Sequence, residues 1–371
     1  MKYAHLERYK ITLTTESPVF IGASTQEKLS KRECVYDRDK GLLYVPDLTR
    51  LIEAIEKQGS LNDFEAFLLQ AQSQQGDRVT LRDFLRNINI PIAPDAPWVR
   101  YTLETASGDY SALNTVNCFI KNAQGQPYLP GSSIKGAIRT ALLAARSREE
   151  GLQNMVYNAE QKPKNRWAGT EENPLRILRL NPEERKRYDA VNDLLRALYV
   201  SDSAPFPLDC LMICKKLELS SSGEVHGTTQ GNRSGRTSPP LYRECLRPGV
   251  TTHFYLTLDK KLAGGQLSME KITQALQAWY TLQRQRYDDQ FHWEDVPLRG
   301  VELSGTPIIL GGGVGFQSKN LMYKLADPEK ARAAIHKILS AQFYCPYPLP
   351  ATKRRNRLCE FCFPPSAAVT H

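Results

Sequence analysis

Tyr128-Leu129-Pro130-Gly131-Ser132-Ser133-Ile134-Lys135-Gly136-Ala137-Ile138-Arg139 joins a short extended run to the start of a helix. Past Gly131, the apolar residues Ile134, Ala137, Ile138, Ala141, Leu142 and Ala145 recur at helical spacing. Ser132 or Ser133 is the expected N-cap, its hydroxyl accepting from a backbone N–H of the first turn. Upstream, Thr115 to Lys121 alternates, with Val116, Cys118 and Ile120 on one side, which reads as a half-buried strand. Asn122 to Gln126, containing Gly125, is a turn. The unit expected is therefore strand, turn, extended Tyr-Leu-Pro and a capped helix.

The charge on that helix is unusual for a packing helix. Lys135 stands in the first turn, where the macrodipole disfavours a cation, and Arg139 follows one turn later on the same face. Arg146 falls on the same stripe, because eleven residues make close to three turns. An anion at the helix start removes the conflict, and phosphate fits, since backbone N–H groups and Lys135 would point at one negative group. The other reading is a Ser-capped packing helix whose basic residues are solvated. A nucleotide-binding P-loop does not fit. Gly131 and Gly136 have its glycine spacing, but Ala137 and Ile138 occupy the places of its Lys and Ser or Thr.

The surrounding chain has 371 residues, 41% of them hydrophobic, enough for a substantial core. Lys and Arg number 49 against 40 Asp and Glu, and this net charge of +9 favours a polyanionic partner. No apolar run reaches the ~20 residues of a membrane helix. Met1 to Lys10 lacks the apolar stretch of a signal peptide. A soluble cytoplasmic protein that contacts no membrane is the expectation. Of the 8 cysteines, only Cys359 and Cys362 have metal-type spacing, and a zinc site needs a second pair. No cofactor is expected beyond zinc at those two thiols.

In chain order, Tyr9, Ile11 and Leu13 alternate with polar residues as a first strand, which runs into the loop Glu16 to Ser24. Glu33–Tyr36 and Leu42–Val45 form a hairpin pattern. Asp47 caps a helix through Ile55, and Asn62–Ala71 and Leu81–Asn87 continue a helical patch that Pro91, Pro94 and Pro97 end. This patch interrupts the strands as an insertion at about 47–96. Trp98–Glu104 is strand-like, Glu149–Pro182 is polar with little periodicity, and Glu183–Tyr199 recovers a helical pattern. Leu208–Leu219 reads as a long strand, Thr252–Leu258 as a strand, and Met269–Tyr287 and Pro328–Leu339 as helices.

Two further segments carry potential chemistry. Ser220 to Pro240 has no apolar face, contains Arg233 and Arg236, and reads as a long protruding loop able to lie along a nucleic-acid backbone or simply to sit in solvent. Gly311, Gly312, Gly313 and Gly315, followed by Lys319, allow positive φ and close backbone approach to a ligand. Their order is not that of a dinucleotide-binding fold, and a plain glycine turn has the same composition.

Together, Tyr128–Arg139, Tyr242-Arg243-Glu244 with Pro248-Gly249, and the loop Gly311–Gly315 resemble the RAMP superfamily of CRISPR proteins. The nearest resemblance is to the Csm branch, and there to the subunit that caps the crRNA 3′ end in type III-A effector complexes. It implies an α+β fold with an RRM-like (ferredoxin-like) core: a four-stranded antiparallel sheet crossed by helices. One half, 1–205, would hold the helical insertion and a variable insertion at about 149–182. The other, 206–371, would hold a thumb-like loop at 220–240 and the glycine-rich loop 311–315. The resemblance further implies crRNA at Gly131, Ser132, Ser133, Lys135 and Arg139 and at the glycine loop. Target RNA, the backbone RAMP subunit, the small helical subunit of the complex and host trimming nucleases would be its partners.

Catalysis is not expected. RAMP subunits that slice target RNA carry an Asp shortly after the segment resembling Ile21-Gly22, whereas here Ala23-Ser24-Thr25-Gln26 follows and the next Asp is Asp37. Phe20 stands where many members have His. The alternative is a metal-independent endoribonuclease that processes crRNA precursors, drawing on His5, His226 or His253 for acid–base work.

Overall fold

A computed structural model describes residues 4–23, 27–69, 79–106, 110, 113–147, 174–180, 190–216, 218–219, 225–226, 241–286, 303, 305–312, 321, 326, 329–331, 333–334 and 336. The thumb-like loop apart from 225–226, the glycine-loop residues Gly313, Gly315 and Lys319, the cations Arg233 and Arg236, and Cys359 and Cys362 lie outside the described residues. Most of 149–182 does too.

Along the chain, β1 (Leu6–Thr14) is followed by β2 (Lys28–Ser30), β3 (Val35–Asp37) and β4 (Leu42–Pro46). Three helices come next, α1 (Leu48–Lys57), α2 (Leu61–Leu69) and α3 (Leu81–Asn87), then β5 (Val99–Thr105), β6 (Thr115–Asn117) and α4 (Gly131–Arg146). The remainder supplies β7 (Leu198–Val200), β8 (Leu211–Lys215), β9 (Glu218–Leu219), β10 (Val225–His226), β11 (Tyr242–Leu246) and β12 (Thr251–Asp259). Two helices follow, α5 (Lys260–Ala263) and α6 (Met269–Arg286), and the later described residues 329–331, 333–334 and 336 are also helical. The fold is α+β.

Two main sheets share one core. The first is antiparallel, in the order β1-β12-β7, with Tyr9 opposite Leu256 and Leu198 opposite Leu258. The second has seven strands in the order β2-β6-β11-β8-β5-β4-β3, and its β6–β11 and β5–β8 pairs are parallel. Among the described residues the strands therefore divide three and seven, with a short β9–β10 pair besides, and no sheet is four-stranded. On β12 the period of two is complete: Thr252, Phe254, Leu256 and Leu258 are buried, and the residues between them are not. Those apolar side chains join Ile134, Ile138, Ala141 and Leu142 of α4 and Ile272, Ala275 and Trp279 of α6 in the main core.

The helical segment after β4 has a core of its own. Leu51, Ile55, Phe64, Phe67, Leu81, Phe84 and Leu85 pack with Tyr44 and Trp98, and the Phe67 and Phe84 rings stack 5.1 Å apart. Asp47 caps α1 by accepting from Arg50 N, and Thr80 with Asp83 makes a full capping box on α3.

Three sequence expectations are corrected. The strand expected at Thr115–Lys121 ends at Asn117, after which Phe119 turns inward with no exposed surface and forms a lone bridge to Gly22. Leu208–Cys210 is a 3-10 turn, so the long strand there starts only at Leu211. Within Glu183–Tyr199, the described part is two 3-10 turns and the start of β7 rather than a helix. In each case a short apolar run fits several backbones, and the long-range partner decides.

Candidate functional site

α4 begins two or three residues earlier than a serine cap requires. Its N-cap is Pro130, with no side-chain cap bond, which corrects the assignment to Ser132 or Ser133. The carboxylate that answers the helix start belongs to the protein: Gly131 N donates to Asp202 Oδ1 at 2.7 Å. An anion at this end of the dipole is what the electrostatics asked for, and Asp202, distant in sequence, supplies it. Gly131 itself is buried, and a Cβ there would lie 2.3 Å from Val200 O and 2.7 Å from Ser201 O. Only glycine lets this helix end approach the backbone after β7 so closely.

The three cations of the α4 stripe all have oxygen partners within the chain. Lys135 Nζ donates to Leu198 O at 2.7 Å, Arg139 Nη2 to Asp193 Oδ2 at 2.6 Å, and Arg146 Nη2 to Gln266 O at 2.8 Å. Partial burial pulls the Lys135 ammonium below the usual lysine range, with Arg139 adding to the fall and Asp193 opposing it. Leu198 takes one of its three donors.

A different face of α4 is the open one. Ser133, Gly136, Ala137 and Thr140, spaced three, four and seven apart, line a cavity of about 270 Å³. Its other walls are Ile21 and Gly22 from the segment after β1, Leu276 and Trp279 of α6, and Ile309 to Gly312. A Cβ on Gly136 would meet nothing within 4 Å, so this glycine leaves space rather than filling a tight contact. The structure thus brings Ser133 and Gly136 together with Gly311 and Gly312, and sets Lys135 and Arg139 on the far side of the same helix. Ser132 is exposed at the helix start.

The glycine loop has a reason to be glycine that involves no ligand. Gly311 has φ +81°, and a Cβ there would lie 2.3 Å from Phe20 O, while Gly312 N donates to that same carbonyl at 2.8 Å. Phe20 therefore clamps the loop against the exit of β1, and its ring carries the Arg243 guanidinium 4.9 Å from the centroid. A second cavity of about 690 Å³ shares Leu310, Gly312 and Leu276 with the first and extends to Lys215, Lys216 and Arg243.

Behind the site lies a buried charge that the sequence reading did not identify. Glu244 has no exposed surface; it accepts from Tyr101 Oη at 2.8 Å and from Phe119 N at 2.9 Å, and it pairs with Lys121 Nζ. Burial, and then the facing carboxylate, raise the Tyr101 phenol far above its ordinary value. This network ties β11 to β5 and to the segment that leads into α4. The motif Tyr242-Arg243-Glu244 was the only signal in the sequence.

Two of the three histidines considered for catalysis, His5 and His253, are elsewhere. His5 stands 4.0 Å from Asp259, and His253 packs edge-on against Tyr255 on the three-stranded sheet. Neither lines the cavity at α4. Among the described residues there is no group of three or more metal-type ligands, and no helix is long and apolar enough to cross a membrane.

Comparison with known proteins matches this architecture. The profile of the RAMP superfamily matches residues 12–340. Curated relatives named CRISPR system Cms protein Csm5 include one from Streptococcus thermophilus, 30% identical over 327 residues, covering 86% of this chain and 81% of the relative. One from Mycobacterium tuberculosis is 27% identical over 365 residues, covering 91% and 88%. Among solved structures, a chain of a Csm-crRNA-target RNA ternary complex superposes with a TM-score of 0.58 at 21% identity, covering 88% of this chain and 91% of that one. The crystal structure of T. onnurineus Csm5 gives 0.55 at 21% identity, covering 90% and 95%. The chain belongs to the RAMP superfamily.

Proposed function

We propose that this chain is a non-catalytic RNA-binding subunit of a type III-A CRISPR effector (Csm) complex, holding the 3′ end of the crRNA, supporting its maturation and taking part in target RNA recognition. One observation carries the reading: Ser133 and Gly136 of α4 and the Gly311–Gly312 loop line one cavity although they come from opposite ends of the sequence. The Csm5 names of the relatives and the RNA-bound complex among the structural neighbours support it.

In this reading the guide backbone lies along the α4 start, with the Ser132 and Ser133 hydroxyls as donors, the glycine loop as the facing wall and the Gly136 gap admitting a ribose-phosphate. Contacts of this kind hold the strand without reading its sequence. Lys135 and Arg139 keep their partners in the chain and add positive potential at the same helix end. The further proposed contacts, Arg233, Arg236, Gly313, Gly315 and Lys319, extend the surface. The three-stranded sheet with α4 and α6 on its inner side is read as an RRM-like core to which 1–205 gives β1, α4 and β7 and 206–371 gives β12 and α6, with 220–240 as the thumb. The subunit works in the cytoplasm without a cofactor, between the backbone RAMP subunit and the small helical subunit, and presents the guide end to trimming nucleases. The placement of His5 and His253 away from the cavity favours this over a repeat-cleaving endoribonuclease.

The test is a photo-crosslink from 4-thiouridine at either end of the guide in the purified complex. Crosslinks from the 3′ end to peptides containing 131–140 or 309–312 are expected. Crosslinks to this chain from the 5′ end alone would refute the placement.

A further inference from the structure

The outer face of the β1-β12-β7 sheet has the composition of a stacking platform. Strand alternation that buries Phe254, Leu256 and Leu258 turns His253 and Tyr255 outward on β12. Across the ladder, Lys10 lies opposite Tyr255 and Arg8 opposite Thr257, and Tyr199 of the edge strand β7 lies opposite Thr257 from the other side. Arg8 and Lys10 are exposed, and Tyr199 is 56% exposed. The Arg8 guanidinium sits 3.9 Å from the Tyr255 ring centroid, and the His253 ring meets Tyr255 at 87° with centroids 6.1 Å apart.

The face is cationic as well as aromatic. The neighbouring carboxylates are otherwise engaged: Glu7 faces inward on β1 and pairs with Lys260, and Asp259, at the end of β12, caps α5 through Leu262 N beside His5. Among the described residues neither Arg8 nor Lys10 makes an ion pair. Exposed Tyr199 and half-buried Tyr255, bordered by cations and threonine hydroxyls, suit a ligand that offers flat π-surfaces and phosphates at once. Single-stranded nucleic acid has that chemistry, whereas in a duplex the base faces are already stacked.

We propose that this open sheet face is a second RNA-binding surface, on which unpaired bases stack on Tyr199 and on the Arg8–Tyr255 pair while Lys10 faces the phosphates. It lies across the sheet from α4 and α6, so it is separate from the cavity at Gly136. It rests on the function proposed above only for the choice of RNA as the nucleic acid.

The experiment measures binding of the full chain to a fluorescein-labelled oligouridylate and to its duplex with oligoadenylate, by anisotropy. Tyr199→Ala and Tyr255→Ala are each expected to weaken single-strand binding about fivefold or more, with Tyr199→Phe within about twofold of the parent. Tyr199 is exposed on an edge strand, so its variant keeps the test valid should Tyr255→Ala fail to fold. Unchanged affinity in Tyr199→Ala overturns the proposal, as does equal loss for single strand and duplex. Loss in Gly136→Leu with none in the tyrosine variants refutes the sheet face and leaves the cavity assignment standing; the reverse pattern refutes the cavity alone. A Tyr199→Ala chain that binds oligonucleotide normally but drops out of the assembled complex assigns the face to a protein subunit and also overturns it.

Discussion

Gly136 of α4 and Gly311 of the late loop line the same cavity, yet they are glycine for opposite reasons. At Gly136 an added Cβ meets open space, whereas at Gly311 it would lie 2.3 Å from the Phe20 carbonyl on a backbone at φ +81°. One residue keeps room for something else, and the other lets the chain close on itself. Glycines in two separate segments therefore serve one cavity by different means, one by spacing and one by packing.

The same contrast within α4 gives a prediction with a sign. Gly131→Ala drives a Cβ against Val200 O and Ser201 O and should destabilise by about 1–3 kcal/mol. Gly136→Ala adds helix propensity without a clash and should stabilise by about 1 kcal/mol. Thermal melts of the two variants must move in opposite directions.

The buried carboxylate of Glu244 depends on Lys121 for compensation. Lys121→Ala leaves that charge uncompensated beside Tyr101, at a cost of about 3–5 kcal/mol. Glu244→Gln keeps the shape and can still accept from Phe119 N, so it should cost distinctly less. Urea midpoints in that order support the network, and equal midpoints argue against it.

How much of this was legible in the sequence differs from residue to residue. The cap at Asp47 and the alternation on β12 rest on local physics, and the helix start, strand and buried face follow from a few adjacent side chains. The break after Asn117 was not legible, because Phe119 turns inward toward Gly22 and Glu244, which lie far along the chain. At the site, Lys135 points in sequence to an anion at the helix start, but with Pro130 as N-cap it is the fifth helical residue, past the first turn. That the anion is Asp202, and that the ammonium reaches Leu198 O, depends on β7 packing against α4. Ser133 and Gly136 share a cavity with Gly311 and Gly312 because Phe20 holds the late loop against the segment after β1; no spacing rule encodes that.

Lys135 separates charge from packing. Lys135→Met keeps the aliphatic stem, removes the donor to Leu198 O and should cost about 1 kcal/mol of stability. If the ammonium also lies near a phosphate, the slope of log affinity against log salt for single-stranded RNA should fall by about 0.7. Titrations across a salt series read the slope directly, and an unchanged slope confines Lys135 to its structural contact.

The most direct measurement is the length and occupancy of the crRNA in effector complexes assembled with Gly136→Leu, beside Gly136→Ala as a folding control. Filling the cavity should leave the guide 5′ end unchanged while the 3′ end becomes shortened, ragged or under-occupied, with Gly136→Ala close to the parent. A full, uniform guide in the Gly136→Leu complex would contradict the proposed place of the RNA.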